Sequence, residues 1–248
     1  MKYLLAALLS LSCCWVALPQ LSPGNPFFVA GVLKPAAAGG GSIAIDLATC
    51  PTYSVNVSSK TYSHTCTGSG LALFVGVGWY DAVDAVTITS VTYNGVTMTE
   101  LWDAEESTYG LYGSAGFVLA APATGAHDVV ITLSGNTEIV TSACSSWTGV
   151  NQSTPSRGVF TSSFLDESAP YEAAITVTDA QSGDVVVDFV ACNNTTLTAN
   201  QTQRCLTSGV EGVTSYAHQS AAATGSTVMS YSMSGVTYGY LGAVALRP

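Results

Sequence analysis

The chain has 248 residues, of which 48% are hydrophobic and only 9% are charged. This apolar content can build a sizeable core and excludes a disordered chain, and the length suits one large β domain or two small ones. The net charge of −10, with 6 lysines and arginines in all, predicts no nucleic-acid partner, because cationic side chains supply most of the affinity for phosphates.

Residues 1–20 are typical of a secretory signal peptide or an N-terminal anchor. Lys2 supplies the positive start, and residues 3–16 are apolar over a length too short to span a bilayer. Cys13 and Cys14 loosely resemble a lipoprotein cleavage box, which leaves a lipid anchor open. We therefore expect a secreted or extracellular-surface protein, a virion included, that contacts a membrane only through the leader or a lipid anchor.

Residues 21–42 form a linker rich in Pro, Ala and Gly, and it contains one apolar run at residues 27–33. The run has the length of one strand and would be an exposed apolar patch in water. It either folds back as an edge strand of its own domain, stays part of the leader region, or pairs with a sheet edge of a neighbouring subunit. The last alternative makes five residues candidates for an assembly strand: Phe27, Phe28, Val29, Val32 and Leu33.

Residues 43–248 alternate apolar and polar side chains with a period of two, which is the pattern of β-strands. Turns rich in Gly, Pro, Asn and Ser separate about eleven to thirteen such strands. We predict an all-β fold, a single antiparallel β-sandwich that is jelly-roll-like. Three strands, near residues 71–80, 185–191 and 238–246, are apolar on both faces, so a loop or another subunit is expected to cover the second face.

The clearest local prediction is a β-hairpin at residues 91–98. Asn94 and Gly95 are the preferred pair for a type I′ turn, because both central residues need a positive φ. This turn sets a register with Val91 opposite Met98, Thr92 opposite Thr97, and Tyr93 opposite Val96.

Five cysteines lie beyond the leader, and an oxidising compartment favours their pairing. The local choices are Cys50 with Cys66 and Cys192 with Cys205, because each pair closes a short loop. Cys144 is then left over, and its place within an apolar strand predicts a buried, inert thiol.

Six segments of the chain resemble a recurrent β-sandwich module of secreted bacterial proteins and phage structural proteins: SVTYNGVTMTEL, FVLAAPATGAHDVVITLSG, SSWTGVNQSTP, GDVVVDFVA, NQTQR and GAVALRP. The resemblance covers residues 55–248, and it rests on strand and turn motifs. It implies a jelly-roll-like fold and no shared catalytic residues. The added cysteines, and a module standing almost alone after a leader, depart from the usual pattern of that family.

No set of catalytic residues converges in the sequence. His64, His127 and His218 are scattered, and no Gly-x-Ser-x-Gly elbow accompanies them. Neighbouring carboxylates could cleave a glycosidic bond or bind calcium, but their spacing is not that of an EF-hand loop. These are Asp81 with Asp84, Asp103 with Glu105 and Glu106, and Asp166 with Glu167. We therefore predict no catalytic residue and no cofactor, and the sequence does not decide whether a metal ion binds.

Two surface features remain as candidates. Trp102 and Tyr109 flank a loop and could stack on sugar rings. Five asparagines begin an Asn-x-Ser/Thr sequon and become glycosylation sites if the host modifies its surface proteins: Asn56, Asn151, Asn193, Asn194 and Asn200.

The sequence therefore favours a non-enzymatic structural protein of an extracellular assembly, a surface filament or a virion surface, that self-associates as a homo-oligomer or polymer. The alternative is a carbohydrate-binding or adhesive surface module with a surface glycan as partner. A polysaccharide hydrolase is a third, weaker interpretation.

Overall fold

The structure is a computed structural model that describes residues 42–82, 86–106, 111–166, 171–193, 196–208, 213–220, 225–235 and 237–248. Residues 1–41, which include the leader and Phe27, Phe28, Val29, Val32 and Leu33, lie outside this description. The described residues form sixteen strands: β1 (Ala44–Thr49), β2 (Ser54–Cys66), β3 (Ala72–Asp81), β4 (Ile88–Tyr93), β5 (Val96–Thr97), β6 (Thr99–Glu106), β7 (Leu111–Ala120), β8 (Gly125–Thr148), β9 (Ser156–Asp166), β10 (Glu172–Val177), β11 (Val185–Cys192), β12 (Leu197–Ala199), β13 (Thr202–Ser208), β14 (Val213–Ser220), β15 (Thr227–Met233) and β16 (Thr237–Leu246).

The predicted fold class is confirmed: the structure is all-β, antiparallel and sandwich-like. The number of strands is higher than the predicted eleven to thirteen, partly because β5 and β12 have only 2 and 3 residues and leave no periodic signal of their own. Within the described ranges, no helix is long and apolar enough to cross a membrane.

The strands form three sheets. The large sheet has eight strands in the order β5-β4-β8-β3-β7-β6, with β1 and β2 also paired to β8. The middle sheet has five strands in the order β13-β14-β11-β16-β9, and the small sheet has three in the order β10-β15-β12. Because β5 at one end of the large sheet runs on into β6 at the other end, with Met98 alone between them, this sheet nearly closes on itself.

Three apolar cores follow from this stacking. The first lies inside the curved large sheet and includes Trp79, Tyr93 and Ile131. The second lies between the large and middle sheets, where Phe74 and Trp147 pack with residues of β11 and β16. The third lies between the middle and small sheets and includes Tyr231. The fold is therefore a stack of sheets, with the middle sheet buried on both faces.

This stacking explains the strands that are apolar on both faces. All eight residues of β11 are buried. Strand β3 supplies side chains to the first and second cores, and β16 supplies side chains to the second and third. The expectation of a loop or another subunit over the second face was wrong. A further sheet of the same chain covers it, which a period-two pattern cannot distinguish from a partner.

The predicted hairpin is confirmed. Strands β4 and β5 pair Thr92 with Thr97 and Tyr93 with Val96. Asn94 and Gly95 have φ values of 50° and 74°, as a type I′ turn requires. This turn also fixes the hydrogen-bonding side of the β4 residues from Ser90 to Tyr93 and, through pairing, of the β8 residues opposite them.

The predicted disulfides were wrong. Cys50 is bonded to Cys205, 155 residues away, with a Cα–Cα distance of 5.5 Å, while Cys66 and Cys192 are buried free thiols. The reason is the direction of the side chains. Cys66 ends β2 inside the core of the large sheet, and Cys192 lies in the core between the middle and small sheets. The observed bond links the end of β1 to β13 and so joins the large sheet to the middle sheet.

A buried carboxylate fastens the small sheet to the middle sheet. Asp188 of β11 is fully buried, and it accepts hydrogen bonds from the Tyr231 hydroxyl of β15 and from the Gln201 side-chain amide, both at 2.7 Å. Since a buried charge is stable only when it is hydrogen-bonded, these contacts tie the register of the two sheets to each other. Asp188 therefore has a structural role that its place in an apolar strand did not reveal.

Candidate functional site

The structure contradicts the proposed sugar platform. Trp102 is only 5% exposed, and its indole lies between Gly116 of the large sheet and Gly242 of the middle sheet. A Cβ atom at either glycine would approach the indole to 2.3 Å or less. The Trp102 Nε1 donates to the Ser114 hydroxyl at 3.3 Å. Trp102 is a core residue between sheets, and Tyr109 lies outside the described residues.

The sequons differ in how accessible they are. Asn56 and Asn200 are exposed, whereas the Asn151 side-chain oxygen accepts from the backbone N–H of Ser153 and Thr154, both at 3.0 Å. Asn193 is half-buried, and Asn194 is outside the described residues. Glycosylation at all five sequons stays a prediction, with Asn56 the position best placed for it, because the Asn200 side-chain nitrogen donates to the Ser230 hydroxyl at 2.9 Å.

A chain of hydrogen-bonded polar side chains runs along the inner face of the large sheet, where β1, β2 and β8 meet; His64 and Ser146 are buried, and Asp46 and Thr49 are half-buried. The Thr49 hydroxyl lies 2.8 Å from Nδ1 of His64, and Nε2 of His64 lies 3.1 Å from the Ser146 hydroxyl. Ser146 donates to the Asp46 carboxylate at 2.6 Å, and the Thr67 backbone N–H donates to the same carboxylate at 2.8 Å. We call Asp46, Thr49, His64 and Ser146 the polar chain.

The hydrogen bonds of the polar chain define one protonation pattern. Ser146 gives its proton to Asp46, so Nε2 of His64 must donate to the Ser146 oxygen, and Nδ1 must accept from Thr49. Burial lowers the pKa of His64 to about 4, and the nearby Asp46 only partly offsets this. Burial also acts to raise the pKa of Asp46, but hydrogen bonds from Ser146 and Thr67 outweigh it and hold that pKa below its usual value.

The polar chain contains the Ser, His and Asp side chains of a serine hydrolase, but its hydrogen bonds connect them in a different order. In such a triad the carboxylate orients the histidine, and the histidine takes the proton of the serine. Here the carboxylate accepts the serine proton directly, and Thr49 holds the other nitrogen of the ring. Ser146 is also fully buried. Sequence reasoning picked out His64 but missed Asp46 and Ser146, because 82 residues separate His64 from Ser146 and no motif connects them.

Two free thiols lie beside the polar chain. Cys144 is fully buried, as predicted, and burial raises its pKa to about 12 despite hydrogen bonds from Tyr62 and Thr49. Burial likewise raises the pKa of Cys66. Because the thiolate is the reactive form, both side chains are suited to packing rather than to nucleophilic chemistry.

The histidine of the polar chain predicts a specific pH dependence of stability. His64 binds a proton at about pH 4 when folded and at about pH 6.5 when unfolded, so the unfolded state binds more protons between these values. Stability should therefore fall by roughly 3 kcal/mol as the pH drops from 6.5 to 4, and no further through this residue below that window. Urea unfolding at a series of pH values measures this.

The matched control is the histidine directly opposite. His127 pairs with His64 across β2 and β8 but is half-exposed. His64→Asn should flatten the slope between pH 4 and 6.5, whereas His127→Asn should keep it. Equal slopes in wild type and His64→Asn would show that His64 is not buried as a neutral ring.

The paired carboxylates do not gather into a metal site. Among the residues that the structure describes, no group of three or more His, Cys, Asp or Glu side chains could hold a metal ion. Asp81 is buried, and Asp84 and Glu167 are outside the description. Asp103 and Glu105 lie on the edge strand β6, where burial and neighbouring carboxylates raise both pKa values. These acids place like charges along a sheet edge.

One open groove carries polar groups without partners. It has a volume of about 430 Å³ and lies beside the hairpin turn, lined by Thr92, Asn94, His127, Asp128 and Val130 among others. The His127 ring packs edge-on against Tyr93 and donates through Nε2 to the Thr124 carbonyl at 3.2 Å. The Asn94 amide and the Asp128 carboxylate have no hydrogen-bond partner within the described chain. We call this pocket the hairpin groove.

Comparison with known proteins adds no relative: no family model matches the chain, and no curated protein is detectably similar to it. The fold defines the class as an all-β chain of stacked antiparallel sheets with one disulfide between sheets. The resemblance to a secreted bacterial and phage module stays a prediction.

Proposed function

We propose that the chain is a non-enzymatic structural protein of an extracellular assembly, a surface filament or a virion surface. The observation that carries the proposal is the way the sheets are joined. A disulfide links the large and middle sheets, and hydrogen bonds to the buried Asp188 link the middle and small sheets. Such cross-linking suits a rigid building block, and a disulfide between sheets favours an oxidising compartment.

The buried polar groups support the same proposal. The members of the polar chain satisfy one another's hydrogen bonds, and burial holds its histidine and the neighbouring Cys144 thiol in their uncharged forms. Groups arranged for catalysis usually meet in a cleft that a substrate can enter. These groups instead fix the positions of β1, β2 and β8.

The test is to express the full chain with its own N terminus in an exporting bacterial host and to recover it from the medium and the cell surface. Light scattering after size exclusion, together with electron microscopy, should show a regular oligomer, particle or fibre. A chain that stays monomeric at every concentration and salt level would contradict a role in assembly.

The hairpin groove favours carbohydrate binding as a second candidate function. Asn94, Asp128 and Val130 line the groove with an amide, a carboxylate and an apolar side chain, which suits the hydroxyl groups and the apolar face of a neutral sugar. An anionic ligand is disfavoured by the Asp128 carboxylate. NMR titration with cellohexaose, xylohexaose and mannohexaose should shift the amides around the groove for at least one of the three.

The matched variants for this titration lie on one strand. Asp128→Ala should weaken sugar binding at least tenfold, whereas Glu138→Ala, an exposed carboxylate on β8 outside the groove, should leave it unchanged. No shift with any of the sugars at ~10 mM, or equal binding by both variants, would exclude the groove as the site.

A further inference from the structure

We infer that the outer edge of β2 is the acceptor for strand addition, and that its occupant is the apolar run at residues 27–33 of a neighbouring copy. This inference rests on the proposed structural role and names the surface through which copies would join. β2 has 13 residues and pairs only with β8, which makes it the longest edge strand of the described fold.

The hairpin turn identifies which backbone groups of β2 are free. In a two-residue turn the closing pair, Tyr93 and Val96, bond to each other, so Thr92 points its N–H and C=O toward β8. The residues of β8 alternate likewise: Val130 and Asp128 point toward β4, as the bond from the Asn94 N–H to the Asp128 carbonyl at 3.0 Å shows.

It follows that the intervening residues of β8 point toward β2. Ile131, Val129 and His127 are paired with Lys60, Tyr62 and His64. The N–H and C=O groups of the alternate residues Thr61, Ser63 and Thr65 therefore point away from β8, at an edge where no described strand pairs with them. From Ser59 to Cys66 the register with β8 is regular, so this row of groups matches an added strand of about seven residues.

The side chains along this edge favour an apolar occupant. Tyr62, within the regular stretch, is only half-buried although it packs against the core of the large sheet. An added strand rich in Phe, Val and Leu would cover it. Lys60 points inward and donates to the Thr52 carbonyl and the Ser54 hydroxyl of its own subunit. An inward-pointing charge protects an edge against unselective pairing, so Lys60 opposes the addition of other strands at this edge.

Two other edges of the same sheets are protected. The edge strand β6 carries Glu100, Asp103 and Glu105, whose charges oppose an added strand. The edge strand β13 has an irregular register and is tied by the disulfide at Cys205. The edge of β2 has no carboxylate and no proline among its residues.

The length of the linker fits transfer between copies. Ten residues separate Leu33 from Ala44, the first residue of β1, and they include the Ala/Gly tract at residues 36–41. An extended linker of this length spans at most roughly 35 Å, enough for the run to leave its own subunit. Head-to-tail donation of this kind does not close on itself and builds a fibre.

The test uses the full exported chain and two single-site variants at Ser63. Ser63→Pro removes one N–H at the free edge and no hydrogen bond to β8, whereas Ser63→Ala keeps that N–H. Ser63→Pro should reduce assembly, measured by light scattering and electron microscopy, at least tenfold, and Ser63→Ala should assemble as wild type. Deletion of residues 22–33 should also abolish assembly.

Mixing the two defective chains completes the test. Ser63→Pro keeps its donor run and the deletion variant keeps its acceptor edge, so the mixture should form a single heterodimer and no fibre. Hydrogen exchange provides a readout independent of proline: the Thr61 and Ser63 amides should exchange quickly in the monomer and slowly in the assembly.

The outcomes separate this inference from the broader proposal. If the wild type assembles and its Thr61 and Ser63 amides stay unprotected, the β2 edge is not the acceptor, although the structural role stands. If the wild type never assembles, both are wrong.

Discussion

Replacing Cys50 and Cys205 together by alanine is expected to lower the free energy of unfolding by about 5 kcal/mol. The bond closes a loop of 155 residues, and the loop-closure entropy that it removes from the unfolded chain grows with the logarithm of loop length. Alanine is the better replacement because Cys205 is buried, and a serine would leave an additional polar group in that core. Urea unfolding followed by intrinsic fluorescence measures the change.

Reduction supplies the control for this prediction. A phosphine reductant should bring the wild type down to the stability of the double variant and leave the double variant unchanged. Peptide mapping without reduction should recover Cys50 joined to Cys205. Recovery of a Cys50–Cys66 or Cys192–Cys205 peptide would mean that the sheets are not linked as the structure shows.

Truncating Trp102 to alanine should cost about 3–5 kcal/mol of stability, the range for removing a large buried aromatic side chain. The indole fills the space between Gly116 and Gly242, contacts Phe74 at a ring-centroid distance of 5.9 Å, and is 5% exposed. Thermal and chemical unfolding measure the loss. An exposed sugar platform would behave differently, because its removal would weaken ligand binding and leave stability nearly unchanged.

A double-mutant cycle isolates the contact that is responsible. A Cβ atom at Gly242 would lie 2.1 Å from the Trp102 indole, so Gly242→Ala should destabilise the wild type by about 1–3 kcal/mol. In the Trp102→Ala background the same change should be almost neutral, because the indole is gone. Additive effects of the two substitutions would show that the ring does not lie against Gly242.

The local sequence around Trp102 does not reveal that this side chain is buried between two sheets. Its neighbours in β6 include Glu100, Asp103 and Glu105, so the local sequence is that of an exposed strand. One face of this strand packs on the middle sheet, whose strands come from residues 156–246. Two of the residues against which the indole lies, Gly116 and Gly242, are glycines, and a glycine gives no apolar signal that a large ring will lie against it.

The pairing of the cysteines is also not predicted by the local sequence. Sequence separation favours local cysteine pairs, because short loops close easily in an unfolded chain. In the folded chain the choice is made by which face of its strand each cysteine occupies. Cys192 lies in the core between the middle and small sheets, whereas Cys205 lies in the core between the large and middle sheets. Cys66 is buried inside the large sheet, whereas Cys50 is exposed, so neither predicted pair can meet.

The sequence by itself determined the all-β class, the hairpin at Asn94–Gly95 with its register, and the burial of Cys144. It could do so because period-two alternation and turn residues with positive φ act over a few neighbouring residues. Only the tertiary structure decided the Cys50–Cys205 bond, the polar chain of Asp46, His64 and Ser146, and the sheet that covers the second face of β11. Each of these joins segments far apart in the chain. Their meeting depends on how three sheets stack, which no local pattern of side chains specifies.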